Sequence, residues 1–510
     1  MNFHPDALRL LLAILPPLTA GVLLLRRTAP VWAGLGALAA ALAVLPAFDV
    51  FVADLAGPAL RIGPVALEVL GIMYGGLLLF EVLRSAGLHQ TLGRWVTSLA
   101  PDRPLQVLLV ALGVAPFMES VTGFGVGLIM AAPILREMGL SSRQATVVAL
   151  LGIVSVPWGA LGPGTLVAAE LGGVDLDALG MASARYSLPV FVCCGFTALA
   201  AVEGLRGAWA RAADLVLAAG SLWLGIWGAN RVLGTPPAGA VGSALAACVV
   251  AVRSGWGRAG IRRPSASGPV SEPERPGAGR PGSGSDRAPL RAEGPDGAEI
   301  RRAIVPYVVL MGALLAARAA VSLAGVPDPA GRWLRSPALW LLVTAALTLC
   351  LGAGAPRGRA VLEAAAHAYR RWRGVAGATL LFLLLGTVMT HSGMAAALAA
   401  GAAGVGRAYV LAAPWIGGLG GFLTGSNTGA NAMFAAAQAA AAGRLGLPVL
   451  QLVAIQNVAA SLLTMVSGPR LALARSLLDE GESWQGIVLP VVAANLVVLV
   501  VWSLWMGWVS

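Results

Sequence analysis

Apolar stretches about as long as a bilayer is thick recur along this 510-residue chain from Ala7 to Trp508, and they decide what it can fold into. Stretches long enough to span run approximately over 7–25, 30–48, 65–84, 144–162, 186–203, 213–233, 238–254, 303–324, 337–354, 375–391, 448–468 and 487–508. With 57% hydrophobic and 12% charged residues, a soluble enzyme is excluded, since soluble domains carry roughly 25% charged residues. The fold class expected is an all-α polytopic protein of the cell inner (plasma) membrane with about twelve transmembrane helices. Residues 1–6 carry no basic segment and further spans follow the first apolar stretch, so that stretch reads as a helix rather than a signal peptide.

The net charge of +11 is carried entirely by arginine on the basic side, because the chain has no lysine. Those arginines fall in short loops between apolar stretches, where they set orientation in a bilayer; a nucleic-acid partner is not expected. Cys193, Cys194, Cys248 and Cys350 lie in apolar stretches with no partner at ligand spacing. They read as free, buried small hydrophobes, and no disulfide, metal or cofactor is expected. Residues 256–302 turn to Pro, Gly, Ser, Arg and Glu, the composition of a disordered linker, placed by its arginines in the cytoplasm. Arg26-Arg27, Arg84/Arg94/Arg103, Arg136/Arg143, Arg206/Arg211 and Arg357/Arg359/Arg370/Arg371/Arg373 then share its side, while Asp49, Asp54, Glu170, Asp175 and Asp177 lie opposite.

Two further apolar regions, 104–135 and 408–443, are interrupted by Glu119-Ser120-Val121-Thr122-Gly123 and Gly425-Ser426-Asn427-Thr428-Gly429. Arms of about 14 residues are too short to cross, so each region is expected to be a re-entrant hairpin, tolerated where it lines a cavity. Both hairpins must return to their side of entry for the arginine loops to stay inside. One offset of 306 residues carries Ser85-Ala86-Gly87-Leu88 onto His391-Ser392-Gly393-Met394, Ser120–Gly123 onto Ser426–Gly429, Ser155 onto Ser461 and Gly162-Pro163 onto Gly468-Pro469. The expected organisation is a first repeat over 1–203, two extra helices over 204–255, the linker, and a second, inverted repeat over 303–510. Inverted repeats with interrupted helices are the architecture of secondary transporters, with the site near the midplane.

Helix N-termini with small polar residues suit a carboxylate, because unpaired N–H groups and the helix dipole both favour an anion. Ser120, Thr122, Gly123, Ser426, Asn427, Thr428, Gly429 and Asn431 are therefore candidate substrate contacts. A single Ser-x-Thr-Gly cluster is an ordinary N-cap; the repetition inside broken apolar segments favours a site. Gly162-Pro163 and Ser467-Gly468 stand where proline and glycine can unwind a span, although each could equally be a simple helix stop. Arg470 can meet a carboxylate bidentately or anchor a helix end. Glu119, ionisable inside the membrane, is the leading candidate for a coupled proton, with His391, Glu68 and Glu81 behind it. Asn427, Asn431, Gln438, Gln456 and Asn457 form a polar set in the second repeat, and for Gln456 and Asn457 interhelical glue is the more common role.

Glu119-x-x-x-Gly123-Phe124-Gly125, Gly159-Ala160-Leu161-Gly162 and Gly425-Ser426-Asn427-Thr428-x-x-Asn431-Ala432-Met433-Phe434-Ala435 to Gln438 resemble the signature segments of the L-lactate permease family. The resemblance covers roughly 65–170 and 375–475. It implies symport of lactate or glycolate with protons, and membership of a superfamily whose inverted repeats carry hairpins with Ser-Asn-Thr-like tips. Where the family tends to have a Lys-Met-Ile-Ser-Pro-Gln-like run, this chain has Thr464-Met465-Val466-Ser467-Gly468-Pro469-Arg470, so a lysine's role is lost or passes to Arg470. The expected function is import of small monocarboxylates by proton symport and alternating access, with the hairpins and broken spans moving together. The expected partners are a small carboxylate, protons and the bilayer, with a second copy of the chain as a candidate. A sodium-coupled carrier of dicarboxylates is the first rival; an intramembrane enzyme built on Glu119 and His391, and a passive channel, are weaker ones.

Overall fold

A computed structural model describes residues 5–100, 102–123, 125–255, 295–327, 330–351 and 358–509. Most of the expected linker, 256–294, lies outside them, and its last residues are helical instead: Asp296 accepts from the Glu299 N–H at 2.6 Å and starts a helix at Gly297.

Every regular element is a helix among the described residues. In chain order they are α1 (Pro5–Leu25), α2 (Pro30–Val44), α3 (Ala56–Ser85), α4 (Leu88–Leu99), α5 (Arg103–Thr122), α6 (Val126–Glu137), α7 (Ser142–Leu151), α8 (Pro163–Gly172), α9 (Leu176–Ala210), α10 (Ala212–Leu233), α11 (Thr235–Arg253), α12 (Gly297–Ala324), α13 (Ala330–Arg335), α14 (Pro337–Leu351), α15 (Arg359–His391), α16 (Met394–Gly404), α17 (Tyr409–Thr424), α18 (Asn427–Leu445), α19 (Val449–Leu463), α20 (Gly468–Arg475) and α21 (Gln485–Val509). Among the described residues, eleven helices, or twelve counting the bent α16–α17 pair, are long and apolar enough to cross a membrane. The chain is a multi-pass integral membrane protein.

The elements of α3–α9 and α15–α21 follow one plan: a long helix, a short helix turned away from it, a hairpin, a broken span and a closing helix. The two long helices pack side by side in opposite directions. Trp372 Nε1 donates to the Leu70 carbonyl at 2.9 Å, Arg371 reaches Glu81, and at the other end His391 feels the charge of Arg61. Equivalent helices therefore run antiparallel, and the repeats are inverted.

Several expected bounds need correction. The hairpin arms are unequal: α5 has 20 residues, with a π-helical turn at Leu109–Val114, and α6 has 12, while α17 has 16 and α18 has 19. The stretch 144–162 is no continuous span, because α7 stops at Leu151 and a 3₁₀ turn at Val156–Leu161 leads into α8. Its partner 448–468 breaks at Thr464–Val466 between α19 and α20. The stretch 337–354 is helical over Pro337–Leu351, and its last three residues lie outside the described ones. Arg370, Arg371 and Arg373 are not in a loop; α15 starts at Arg359 and carries them on its first turns. All four cysteines are free, but Cys248 and Cys350 are exposed on the apolar surface rather than buried.

Small residues let these helices approach closely where the broken elements meet, in the manner of membrane bundles. Ser141 caps α7 with a capping box through Gln144, and Asp175 caps α9 by accepting from the Ala178 N–H at 2.9 Å. These caps fix where each segment restarts after its turn.

Candidate functional site

Both hairpin tips and both span breaks open on one cavity of about 540 Å3. Glu119, Gly123, Gly159, Ala160, Pro163 and Gly164 line it from the first repeat, and Thr424–Gly429, Thr464, Pro469 and Arg470 from the second. The volume is in the range of small-molecule sites. Side chains of α15, including Thr379, Phe382 and Arg371, complete the wall.

The first tip is closed by its own carboxylate. Glu119, in the last turn of α5 and only 2% exposed, accepts from the Gly125 N–H at 3.1 Å and the Gly127 N–H at 3.3 Å, so it sits on the N-terminus of α6. Its other oxygen receives Arg470 Nη2 at 2.7 Å, an ion pair joining residues 351 apart in sequence. Arg470 is 9% exposed and its buried Nη1 has no hydrogen-bond partner. Gly125, in the left-handed region at φ +83°, must be glycine for a second reason, because a Cβ there would fall on the Arg470 guanidinium.

The second tip has no charge. Gly425 turns the chain at φ +63°, the Ser426 hydroxyl caps the Gly429 N–H at 3.2 Å, and the first turn of α18 (Asn427, Thr428, Gly429) lines the cavity. Asn427 Nδ2 donates to Asn457 Oδ1 at 2.9 Å, and Asn431 Nδ2 donates to Asn457 Oδ1 at 2.9 Å and to the Gly164 carbonyl at 3.1 Å. Asn457 in turn donates to Thr165 and Ser183, each at 3.0 Å. A polar network thus ties hairpin two to α8 and α9 of the first repeat, with each amide oriented by its neighbours. Gly164 permits it, since a Cβ would lie 2.5 Å from Asn427 Nδ2.

Other expected residues are placed elsewhere. Ser120 is buried with its hydroxyl 3.0 Å from that of Ser155, and Thr122 donates back to the Met118 carbonyl, so neither hydroxyl lines the cavity. Gly162 is the left-handed residue starting α8, and Ser467 donates to the Thr464 carbonyl at 2.7 Å while Gly468 opens α20. Asn431 lies one turn behind the cavity surface. His391 is exposed at the far end of α15 and does not line the cavity. Glu81 pairs with Arg84 and, at 3.2 Å, with Arg371; Glu68 pairs with Arg332 at 3.3 Å. Gln456 and Gln438 meet at 3.3 Å beside Tyr409, joining α17, α18 and α19.

Sequence reasoning missed Arg371, hidden among loop-like arginines, and the strain of the first break. Ala160 and Leu161 hold φ of +41° and +62° without being glycine, and Gly159 and Ala160 face the cavity. Such backbone persists only where the surroundings impose it, and it gathers at sites. The run Gly159-Ala160-Leu161-Gly162 was the available signal.

The ten-residue α8 divides this cavity from a second one of about 620 Å3. Pro163 and Gly164 face the first, while Leu166, Ala169 and Glu170 face the second, which Asp175, Asp177, Arg318 and Arg332 also line. At 1.5 Å per residue the partition is about 15 Å long.

The L-lactate permease of Escherichia coli (strain K12) is 24% identical over 438 residues, 78% of this chain and 74% of that one. The glycolate permease of the same strain is 24% identical over 444 residues, covering 79% and 77%. The YdaH transporter of Alcanivorax borkumensis aligns in structure over 89% of this chain and 86% of its own, with a TM-score of 0.45 and 16% identity. Residues 23–323 and 330–507, which hold both hairpins, both breaks and the Glu119–Arg470 pair, match one family throughout, and the chain belongs to the L-lactate permease family.

Proposed function

We propose that this protein is a carrier, not an enzyme, that imports small monocarboxylates such as lactate or glycolate by proton symport. The observation that carries the reading is the meeting, in one cavity, of an uncharged helix N-terminus at Asn427–Gly429 with Arg470, whose buried Nη1 has no hydrogen-bond partner. Backbone N–H groups, the Thr428 hydroxyl and one guanidinium suit a single carboxylate. Relatives named lactate and glycolate permeases support the same substrate class.

Alternating access needs a barrier that changes sides. With the arginine loops inside, the first cavity, which also touches Ala29–Val31 and Arg371, opens to the cytoplasm and the second faces outward. The moving unit is the set tied by the asparagine network and the ion pair: both hairpins, α7–α8 and α19–α20. An elevator-like shift of that set past α3 and α15 exchanges the exposed cavity.

Uptake of labelled lactate into proteoliposomes under an imposed inward proton gradient tests the reading. Gradient-stimulated uptake is expected; uptake driven by sodium instead gives the function to the rival sodium-coupled carrier.

A further inference from the structure

We propose that Glu119 occupies Arg470 only in the empty carrier, and that protonation of Glu119 hands the guanidinium to the substrate carboxylate, so that proton and substrate bind as one neutral unit. The inference rests on the cavity being the monocarboxylate site and specifies how that site is coupled.

The geometry allows the exchange without dismantling the tip. Oε1 of Glu119 faces Arg470 Nη2 at 2.7 Å and shares the Gly125 N–H at 3.3 Å, while Oε2 accepts from both the Gly125 and Gly127 N–H groups. A proton arriving on Oε1 replaces the guanidinium there and leaves Oε2 as the acceptor for both amides. Nη2 is then released beside Nη1, which already lacks a partner. Together they form the two-pronged edge that a carboxylate takes best.

Charge balance makes the two events obligatory partners. The empty site holds one carboxylate and one guanidinium and is neutral. The loaded site holds a protonated Glu119, the guanidinium and the substrate anion, and is neutral again. Substrate without the proton leaves an excess negative charge in the bundle, and the proton without substrate leaves an excess positive one. Both are disfavoured in a buried, low-dielectric place.

Arg470 is the one charged group in contact with Glu119 among the described residues. Arg371, which also lines the cavity, is held by Glu81, a carboxylate it shares with Arg84. On α6 the charges, Arg136 and Glu137, are at the far end, with Arg136 paired to Asp479. On α3, Glu68 and Glu81 are committed to Arg332 and to Arg84 and Arg371, and Arg61 lies by His391. On α11, Arg253 pairs with Asp214, and the segments 109–114 and 156–161 carry no ionisable side chain.

The inverted repeat supplies an internal control. Moving 306 residues along the sequence carries Glu119 to Gly425, Gly125 to Asn431 and Gly164 to Arg470. The joint between the first tip and α20 is the ion pair, with Gly125 making room for Arg470. The equivalent joint between the second tip and α8 is neutral, with Gly164 making room for Asn427 and accepting from Asn431. Holding a tip against a broken span thus needs no charge, and the ion pair at the first joint has work beyond fastening.

Full-length protein, purified and reconstituted, tests this with lactate as the probe. In the wild type, apparent affinity for lactate, read from thermal stabilisation, should weaken by about tenfold per pH unit on the alkaline side, as expected for one linked proton. Glu119→Gln should bind lactate with no pH dependence and catalyse lactate exchange while losing uptake driven by a proton gradient. The charge-balanced Glu119→Gln/Arg470→Gln variant should fold and fail to bind. Wild-type uptake should be indifferent to an imposed membrane potential. If the wild type shows gradient-driven uptake but Glu119→Gln keeps its pH dependence, or the double variant binds as tightly as Glu119→Gln, the exchange of partners is wrong while the substrate reading stands. A wild type that neither binds nor takes up lactate or glycolate overturns both.

Discussion

The two hairpin tips occupy equivalent places in the repeats, yet one is filled by a carboxylate of its own and the other is left open. Glu119 sits on the N-terminus of α6, satisfying two of its amides and holding Arg470. At the second tip the equivalent position is Gly425, so no side chain covers the first turn of α18, and Asn427–Gly429 face the cavity. A helix N-terminus attracts an anion in both cases. On the proposed mechanism, the difference gives one tip an internal anion that can be neutralised and leaves the other's place to an incoming one.

The largest effect is expected from splitting the charged joint. Arg470→Gln alone leaves a buried carboxylate without its cation and should cost about 3–5 kcal/mol of stability as well as abolishing uptake, whereas the double glutamine variant should recover most of the stability. Thermal unfolding of the purified variants checks this; equal melting of single and double variants would break the comparison.

Next in size is the neutral joint. Gly164→Val puts branched carbon where Asn427 Nδ2 lies 2.5 Å from a bare Cβ position, and uptake should fall by at least about tenfold with the protein still inserted. Asn457→Ala, which strips the acceptor shared by Asn427 and Asn431, should destabilise by about 1–3 kcal/mol and raise the KM for lactate. An unchanged KM would mean that the network fastens helices without shaping the site.

A smaller effect is expected for Ser120→Ala. Its hydroxyl faces Ser155 rather than the cavity, so stability should drop by about 1 kcal/mol with KM unaltered, in contrast to Thr428→Ala at the equivalent of Thr122. A raised KM in Ser120→Ala would restore symmetry between the tips.

The smallest concerns His89, on α4 beside the first long helix. Burial, with the nearby Arg84 charge, pushes this imidazole down to about 4 from 6.5. The folded protein therefore keeps it neutral while the unfolded chain takes up a proton, so the stability contributed above pH 6.5 declines as pH falls toward 4. His89→Phe, which retains the stacking on Phe80, should flatten the acid side of the melting profile. Position 395 in the second repeat is Ala, so the equivalent place there carries no imidazole.

Much of the cavity lining was legible in advance because its parts are local signals. Polar residues inside an apolar run mark a hairpin tip, and Gly-Pro pairs mark a break, since each has a direct backbone consequence. The facing of side chains was not legible in the same way. Ser120 and Thr428 look alike in sequence, but the tilt of each arm sends one hydroxyl against Ser155 and the other to the cavity. His391 looks like a relay group and ends up exposed, because α15 extends to its full length before turning. Arg371 looks like a loop arginine and lines the cavity, because α15 begins twelve residues earlier.

Sequence alone determined that the chain is an inverted pair of membrane repeats with two broken elements in each. Apolar length, arginine placement and one repeated offset act over short distances or by simple counting, and they suffice for topology. The tertiary structure alone decided that Glu119 meets Arg470 and that Asn431 meets Gly164, across 351 and 267 residues. Those contacts form only when the two repeats close on each other, and which residue is the glycine at each joint sets which tip carries charge. Nothing within either repeat encodes its partner's side chain, so the chemistry of the site is a property of their packing.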